Sequence, residues 1–446
     1  MTLQNSFEQH PSDHRETFQE QLGQLHLQNQ AIDSGLWQKA RAKAWDHFLN
    51  LGLPTQKNDI YKYIRLRRLF ELSFIPSVTS ELTFSEISKY VYPESSDSVL
   101  VFINGHYQPT LSRTSALPAN FIVSTLSEAT KTYGTFLSNQ WSKSIQSEQD
   151  PFATLNAALH RDGAFLYLPP KCNVTAPIQI LNVIDQKSAS MLMFPRLHLF
   201  VGAQSQISLI SSLAPLSGST YCLNQSVEMS IEEDAHVRYL QTSYGAPSEM
   251  WHFDALRASL KRNSTLKTMH ATDGCAMGRH DYRVTLLGEN AEASLNGMLM
   301  LSDKREAHHH ILMDHQAPHC RSTQLYKSVL NDFSRSSFEG KILVRQLAQK
   351  TEAFQLNNNL LLSDRAHADS KPNLEIFADD VKASHGATVG QLDPEQLFYM
   401  KARGFHEADA KNLLVYSFCK EVIDLFSIPS LHQEITEHAK SYMVKI

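Results

Sequence analysis

The chain has 446 residues, of which 42% are hydrophobic and 20% charged, a composition typical of a globular protein. Its 41 basic and 46 acidic residues give a net charge of −5, which excludes a strongly basic surface for nucleic acid. It contains no run of about 18 apolar residues, so we expect no insertion into a membrane. The polar first residues do not resemble a secretory signal. Five widely spaced cysteines without a CxxC motif predict reduced thiols and a cytoplasmic location.

The first predicted region, residues 1–98, is helical. Apolar residues within 18–50 recur at the spacing of amphipathic helices, and a Gly-Leu-Pro sequence ends that pattern. Residues 99–162 are predicted to connect this region to the next. They begin with VLVFINGHY, which predicts a strand entering an Asn-Gly turn, and they end with a short predicted helix over 152–160.

Residues 163–390 consist almost entirely of short runs with strand-like alternation, such as FLYL, IQILNVI and KILV. Polar dipeptides precede a strand at Gly202-Ala203, Asp234-Ala235, Asn263-Ser264 and Asn290-Ala291. These intervals of about 27 to 32 residues would each hold two strands, as in a solenoid of stacked coils. A β-sandwich has a similar texture, and periodicity alone does not separate the two folds.

Helices are predicted again at the C-terminus, in a domain over residues 391–446. Asp393 and Pro394 are suited to begin a first helix and Gly404 to end it, and a second amphipathic helix is predicted over 406–426. A solenoid needs elements that cover its terminal coils. The flanking helical regions fit that capping role, although the pattern of the C-terminal helices does not decide between capping and another role.

The segment KPNLEIFADDVKASHGATVGQLD, residues 371–393, carries the strongest candidate site. Its alternating apolar residues predict a strand, and we expect His385 in a glycine-rich turn after it, close to Asp379 and Asp380. An imidazole in that position suits a ligand or a proton carrier. A turn histidine bonded only to local backbone is the competing interpretation, and spacing alone does not exclude it.

A second group of potential ligands lies between residues 308 and 320. His308, His310, Asp314 and His315 would be the divalent-metal ligands of a β-helix enzyme, which is the alternative function. Consecutive strand residues alternate faces, so His309 would point away from its two neighbours. No HExxH helix accompanies the group, and we interpret the run as a solvated face of the solenoid.

Three segments resemble the SufB/SufD family of the SUF iron–sulfur cluster assembly system. PNLEIFADDVKASHGATVGQLD, followed by EQLFYMKARGF, is similar to the family's C-terminal signature, and NNNLLLSDRAHADSKP is similar to the segment before it. GLPTQKNDIYKY resembles an N-terminal element, with Tyr61 where tryptophan is usual and Ile64 where threonine is expected. Ala383 stands where some members carry a cysteine. Ala366 stands where B-type members carry one, and an alanine supplies no thiolate, so the chain resembles the D-type.

This resemblance implies a mainly β protein with a right-handed parallel β-helix core, flanked by N-terminal and C-terminal helical regions. It implies a non-catalytic scaffold subunit that pairs with a SufB-like paralogue and docks a SufC-like ABC ATPase. We assign the ATPase contact to Leu397, Phe398, Leu414 and Phe418. His385 would share a transient iron–sulfur cluster with the SufB-like partner. Reduced flavin in the complex, and a homodimer of the chain when alone, are further implications.

Overall fold

The structure, a computed structural model, describes residues 11–31, 36–185, 190–218 and 220–444. The helices are α1 (Pro11–Gln30), α2 (Leu36–Leu51), α3 (Arg67–Phe70), α4 (Phe84–Ile87), α5 (Leu126–Ser147), α6 (Pro151–Leu159), α7 (Pro394–Ala402), α8 (Glu407–Ile423) and α9 (Pro429–Val444). Short 3-10 helices span Asp59–Tyr61, Ser88–Tyr90 and Pro93–Ser95. Within these described ranges, no helix combines the length and the apolar character of a membrane span.

The early strands are β1 (Ile75–Pro76), β2 (Val99–Ile103), β3 (His106–Tyr107), β4 (Ile122–Thr125), β5 (Ala164–Leu168), β6 (Ile178–Ile184) and β7 (Met191–Met193). The middle strands are β8 (Arg196–Val201), β9 (Gln206–Pro215), β10 (Tyr221–Ile231), β11 (His236–Ser243), β12 (Met250–Leu260), β13 (Thr265–Thr272) and β14 (Met277–Leu286). The last strands are β15 (Glu292–Leu301), β16 (Glu306–His315), β17 (Arg321–Leu330), β18 (Arg335–Val344), β19 (Thr351–Leu361), β20 (His367–Ile376) and β21 (Val381–Gly390).

These strands wind into a parallel β-solenoid of about eight turns. Even-numbered strands from β8 to β20 form the first sheet, and odd-numbered strands from β9 to β21 form the second. Each strand pairs in parallel with the strand two places along the chain, as in β10 with β12 and β11 with β13. The predicted mainly β fold with a parallel β-helix core is confirmed. β2 pairs with β6, so the predicted connecting segment contributes a strand to the second sheet.

One corner of the solenoid repeats the same backbone conformation, where each first-sheet strand turns into the next second-sheet strand. The residues there have φ between 56° and 60° and are Gln204, Asp234, Asn263, Asn290, His319 and Lys350. Each donates its backbone N–H to a carbonyl of the following coil, as Asp234 does to Arg262 over 2.9 Å. Three of these positions begin dipeptides that were predicted to precede strands. The period of two strands per repeat is therefore confirmed.

We expect Asn263→Val to be less stable than Asn263→Gly by about 1 kcal/mol, because a β-branched residue resists the left-handed conformation that glycine adopts freely. Both changes remove the amide that donates to Oδ1 of Asp234 over 2.8 Å, so the pair isolates the backbone effect. Urea unfolding measures the difference. Equal stability of the two variants would contradict a cost of the left-handed conformation at residue 263.

The C-terminal helices do not cap the stack, so the capping alternative is wrong for them. Val415, Cys419 and Val422 of α8 pack with Met269 and Met298 on the outer face of the second sheet. The N-terminal helices cover the outer face of the first sheet, where Phe152 of α6 stacks on Phe253 with ring centroids 3.5 Å apart. The apolar faces of the helices pack against the outer faces of the two sheets rather than against a terminal coil. Among the described residues, no helix covers the last coil.

Candidate functional site at the open end of the solenoid

The last coil, made of β20 and β21, ends the stack. Among the described strands, β20 pairs only with β18 and β21 only with β19. Large apolar side chains remain exposed on this coil, namely Ile376, Phe377 and Val389 at 36%, 62% and 49%. Unpaired strand edges beside exposed apolar side chains are typical of a binding surface. We call this surface, residues 367–390, the open end.

The free edge of β20 is interrupted. The N–H groups of His367 and Phe377 donate to Ser334 and Val344, so the odd-numbered residues of β20 face the rest of the first sheet. The even-numbered residues therefore face the free edge. Pro372 is one of them and has no N–H to offer an added strand.

The free edge of β21 is continuous. The N–H of Glu352 donates to Cys320, so the even-numbered residues of β19 face β17 and the odd-numbered ones face β21. Because Gln355 pairs with His385, the odd-numbered residues of β21 then point their N–H and C=O groups outward. None of those residues is proline. β21 can therefore accept a further strand along its whole length.

His385 lies in the middle of β21, so its predicted position in a turn is wrong. The turn covers residues 377–380, and the following segment remains extended through Gly390 although it contains two glycines. Asp379 and Asp380 belong to that turn, where Asp380 pairs with Lys350. The register partner of His385 is Gln355, whose side chain lies inside the solenoid. The imidazole consequently belongs to the inward row of side chains but is exposed, because no coil follows.

Ala366, which distinguishes the D-type sequence, lies in the turn just before β20. It is 7% exposed, and its N–H donates to the carbonyl of Ser363 over 3.2 Å. A cysteine in this position would lie at the start of the last coil. The position of the B-type cysteine, which is Ala366 in this chain, and His385 therefore belong to the same coil of the solenoid.

The alternative metal ligands are buried, so their interpretation as a solvated face is wrong. They bond to separate partners: His308 to Ser337, His310 to Asp281, Asp314 to Arg345 and His315 to Ser322. Within the part of the chain that the structure describes, no three His, Cys, Asp or Glu side chains are grouped to hold a metal ion. His309 faces the interior, as alternation predicts, while His308 and His310 face the N-terminal region.

A buried ion cluster, which sequence reasoning missed, joins that region to the first sheet. The carboxylate of Asp281 accepts from Arg257, Arg279 and Arg283 over 2.7, 2.9 and 3.2 Å. Glu148, just after α5, pairs with Arg257 and Arg283 over 2.7 and 3.0 Å. Burial by itself would raise the pKa of Glu148, but the two guanidinium groups outweigh it and lower the pKa to about 2. The cluster therefore remains ionised at neutral pH.

The N-terminal GLPTQKNDIYKY element docks on this cluster. The hydroxyl of Tyr61 donates to Asp150 over 2.8 Å, and the guanidinium of Arg279 lies 4.2 Å from the centre of the Tyr61 ring. Asp59 pairs with Lys371 of β20 over 3.2 Å. The element thus ties the middle of the first sheet to the last coil. Tyr61 replaces the tryptophan that is usual in this element, and its hydroxyl contributes the hydrogen bond to Asp150.

Sequence reasoning also missed a polar zone inside the solenoid, which is lined by four buried histidines, His252, His270, His280 and His309. Nδ1 of His270 lies 3.0 Å from Nε2 of His309, and Nδ1 of His280 lies 3.2 Å from Oδ2 of Asp254. The hydroxyl of Tyr282 also donates to Asp254, over 3.0 Å. Burial lowers the pKa of all four imidazoles, that of His309 to about 3. They are neutral at pH 7, and only the stacking of coils brings them together.

This burial predicts marked sensitivity to acid. A folded-state pKa below the unfolded value means that the unfolded chain binds more protons, so stability is lost as pH falls below about 6.5. His270, His280 and His309 alone should lower the free energy of unfolding by about 4 kcal/mol between pH 7 and 5.5. Urea unfolding at pH 7, 6 and 5.5 measures this loss, and His309→Gln should reduce it by about 1.3 kcal/mol. A flat profile between pH 7 and 5.5 would contradict it.

The predicted ATPase-contact residues occupy different surroundings. Phe398 of α7 is 73% exposed, whereas Leu414 and Phe418 of α8 are half-buried, and the Lys327 ammonium lies 5.1 Å from the centre of the Phe418 ring. Leu397 lines a groove of about 310 Å³ between the C-terminal helices and the solenoid, beside Leu362. Exposed apolar side chains missed from the sequence extend this surface; they are Tyr399, Phe405 and Leu413.

A parallel β-solenoid with helices on its sides, an open end and an exposed apolar helical surface defines the class of the molecule. Family comparison agrees with this class. Residues 13–180 match the SufBD protein N-terminal region, and residues 183–418 match the SufBD core domain of SUF system FeS cluster assembly. The chain belongs to the SufBD family of the SUF iron–sulfur cluster assembly system.

Individual relatives cover most of the chain. A SufBD family iron–sulfur cluster assembly protein of Synechocystis is 28% identical over 425 residues, which are 92% of this chain and 93% of that protein. The iron–sulfur cluster assembly protein SufD of Escherichia coli is 28% identical over 395 residues, 87% of this chain and 88% of that protein. The assembly protein SufB of Bacillus subtilis is 23% identical over 396 residues, 85% of this chain and 83% of that protein.

Proposed function

We propose that the chain is a non-catalytic, cytoplasmic scaffold subunit of the SufD type. It pairs with a SufB-like paralogue through the open end, and it docks a SufC-like ABC ATPase through its C-terminal helices. A nascent iron–sulfur cluster is its cargo, and reduced flavin binds to the assembled complex rather than to the chain alone. The observation that carries the proposal is the uncovered last coil with His385 on it.

Pairing through the open end is supported by the chemistry of that surface. The continuous edge of β21 offers main-chain donors and acceptors, and the exposed Ile376, Phe377 and Val389 offer apolar area. A second solenoid presenting its own strand edge would satisfy both groups. In the absence of the paralogue, a second copy of this chain presents the same edge, which is the basis for a homodimer.

A role for His385 in holding cargo follows from its position within this interface. Docking of a partner would enclose the imidazole and place it opposite groups of the other subunit. Thiolate and imidazole together are a known ligand set for iron–sulfur centres. This chain has no cysteine on its last coil, since Ala366 and Ala383 occupy the relevant positions. The thiolate would therefore come from the SufB-like partner.

We expect His385→Ala to lower the iron and sulfide content of the purified three-component complex at least about tenfold, because loss of a ligand weakens metal binding. Assembly of the complex should persist, since the main-chain edge of β21 is unchanged. Iron and acid-labile sulfide, measured against the amount of each subunit, test this expectation.

Ser384→Ala is the matched control, because Ser384 is the exposed neighbour on the opposite face of the same strand. It should load iron and sulfide normally. Unchanged loading in His385→Ala, within an intact complex, would overturn the ligand role. Loss of the complex itself in that variant would show that His385 is needed for pairing instead.

Docking of the ATPase is supported by the exposed surface of α7. No residue of this helix is buried, and Phe398 and Tyr399 are 73% and 57% exposed. An exposed aromatic pair on a rigid helix suits the central contact of a protein interface. The sequence contains no P-loop motif, so we expect that the chain does not bind ATP by that route and that a partner supplies the nucleotide energy.

We expect Phe398→Ala to weaken binding of the SufC-like ATPase by about 2 kcal/mol or more, as for truncation of an interface aromatic. Stability should not change, because the ring makes no core contact. Calorimetric titration of the purified chain with the ATPase measures the effect. Leu27→Ala, at a residue 64% exposed on α1, is the control and should bind normally. Equal affinities in all three proteins would remove α7 from the proposed contact.

A further inference from the structure

A column of amide side chains inside the solenoid ends directly beneath His385. Gln324 of β17 and Gln355 of β19 are register partners, and they are 2% and 3% exposed. Nε2 of Gln355 donates to Oε1 of Gln324 over 3.0 Å. His385 is the register partner of Gln355 in β21. The imidazole is therefore the next member of this column.

The amide of Gln355 is held at its nitrogen end. A Cβ added to Gly340 of β18 would lie 2.2 Å from Nε2 of Gln355, so the amide packs directly against the backbone of the first sheet. The opposite atom, Oε1, is buried and has no hydrogen-bond partner among the described residues. The column consequently ends in an unpaired acceptor one coil below the open end.

An unpaired buried oxygen costs about 1–3 kcal/mol, so there is a driving force for it to find a donor. Neighbouring strands are about 4.8 Å apart, which brings a ring N–H of His385 within reach by side-chain rotation. We propose that His385 donates a ring N–H to Oε1 of Gln355, and that Gln355 is a positioning residue for the imidazole. This inference rests on the proposed function, in which His385 holds cargo.

The bond would fix the tautomer of His385. With one ring nitrogen donating inward, the other keeps its lone pair and faces the open end, as a metal-binding imidazole requires. The amide of Gln355 would orient the His385 ring in this way without adding a charge. A carboxylate in the same position would add a negative charge close to a thiolate-rich cluster. The neutral column therefore suits the proposed cargo.

Nitrogen NMR of the full chain with ¹⁵N-labelled histidine tests the bond, since it distinguishes the two tautomers of a neutral ring. The His385 signals are identified by their loss in His385→Ala. We expect a single tautomer in the unaltered chain. Gln355→Met removes the acceptor but keeps an unbranched side chain, and it should give a mixture.

Asn359→Leu is the matched control for loss of a buried amide in β19. Asn359 bonds to Oδ1 of Asn357 and the carbonyl of Thr388, and its register partner is Val389 rather than His385. The tautomer should not change in this variant. An unchanged tautomer in folded Gln355→Met, or an equal change in Asn359→Leu, would overturn the inference.

Gln324→Met decides the question if Gln355→Met does not fold. It leaves Gln355 in place but removes the oxygen that fixes its amide, so a mixture of tautomers is again expected, and an unchanged tautomer refutes the bond.

Iron loading separates this inference from the proposed function. A fixed tautomer with normal iron loading in His385→Ala would overturn only the proposed function. Reduced loading in His385→Ala with no tautomer change in Gln355→Met would overturn only the bond.

Discussion

The strict parallel register between neighbouring coils is the constraint on which the rest of the structure depends. His280 and Asp281 are adjacent in β14, yet the first contacts Asp254 inside the solenoid and the second contacts three arginines beneath the N-terminal region. A slip of one residue would exchange these positions and place the ion cluster in the interior. The repeated left-handed corner, whose backbone N–H groups bond to the following coil, guards against that slip.

The helices complete the sides of the solenoid and leave its last coil open. The N-terminal region is bound by a balanced set of charges, in which Glu148, Asp150 and Asp281 meet Arg257, Arg279 and Arg283. Such a cluster is costly to desolvate but strongly penalises loss of any one member. It specifies where the N-terminal region docks. The same region reaches Lys371 of β20 through Asp59, so the open end is stabilised from one side without being covered.

The interior of the solenoid is not uniformly apolar. Neutral histidines, tyrosines and amides occupy a zone between apolar residues such as Leu256 and Leu286, and the amide column leads to the last coil. Neutral polar groups are compatible with burial when they bond to one another. The proposed role of His385 requires a rigid support for the imidazole. The amide column is well suited to support the imidazole of His385.

Local patterns in the sequence determined much of the fold. Alternation predicted strands, polar dipeptides predicted one corner of the coil, and Asp393 with Pro394 predicted the start of α7, where the carboxylate accepts from the N–H of Glu395. Resemblance identified the family. Only the tertiary structure decided that His385 lies in a strand, that the C-terminal helices cover a side, and that His270 meets His309. The physical reason is that local sequence determines which side chains of a strand share a face and how readily a segment forms a turn. It does not record which surface a distant element covers, or which residues the stacking of coils brings together.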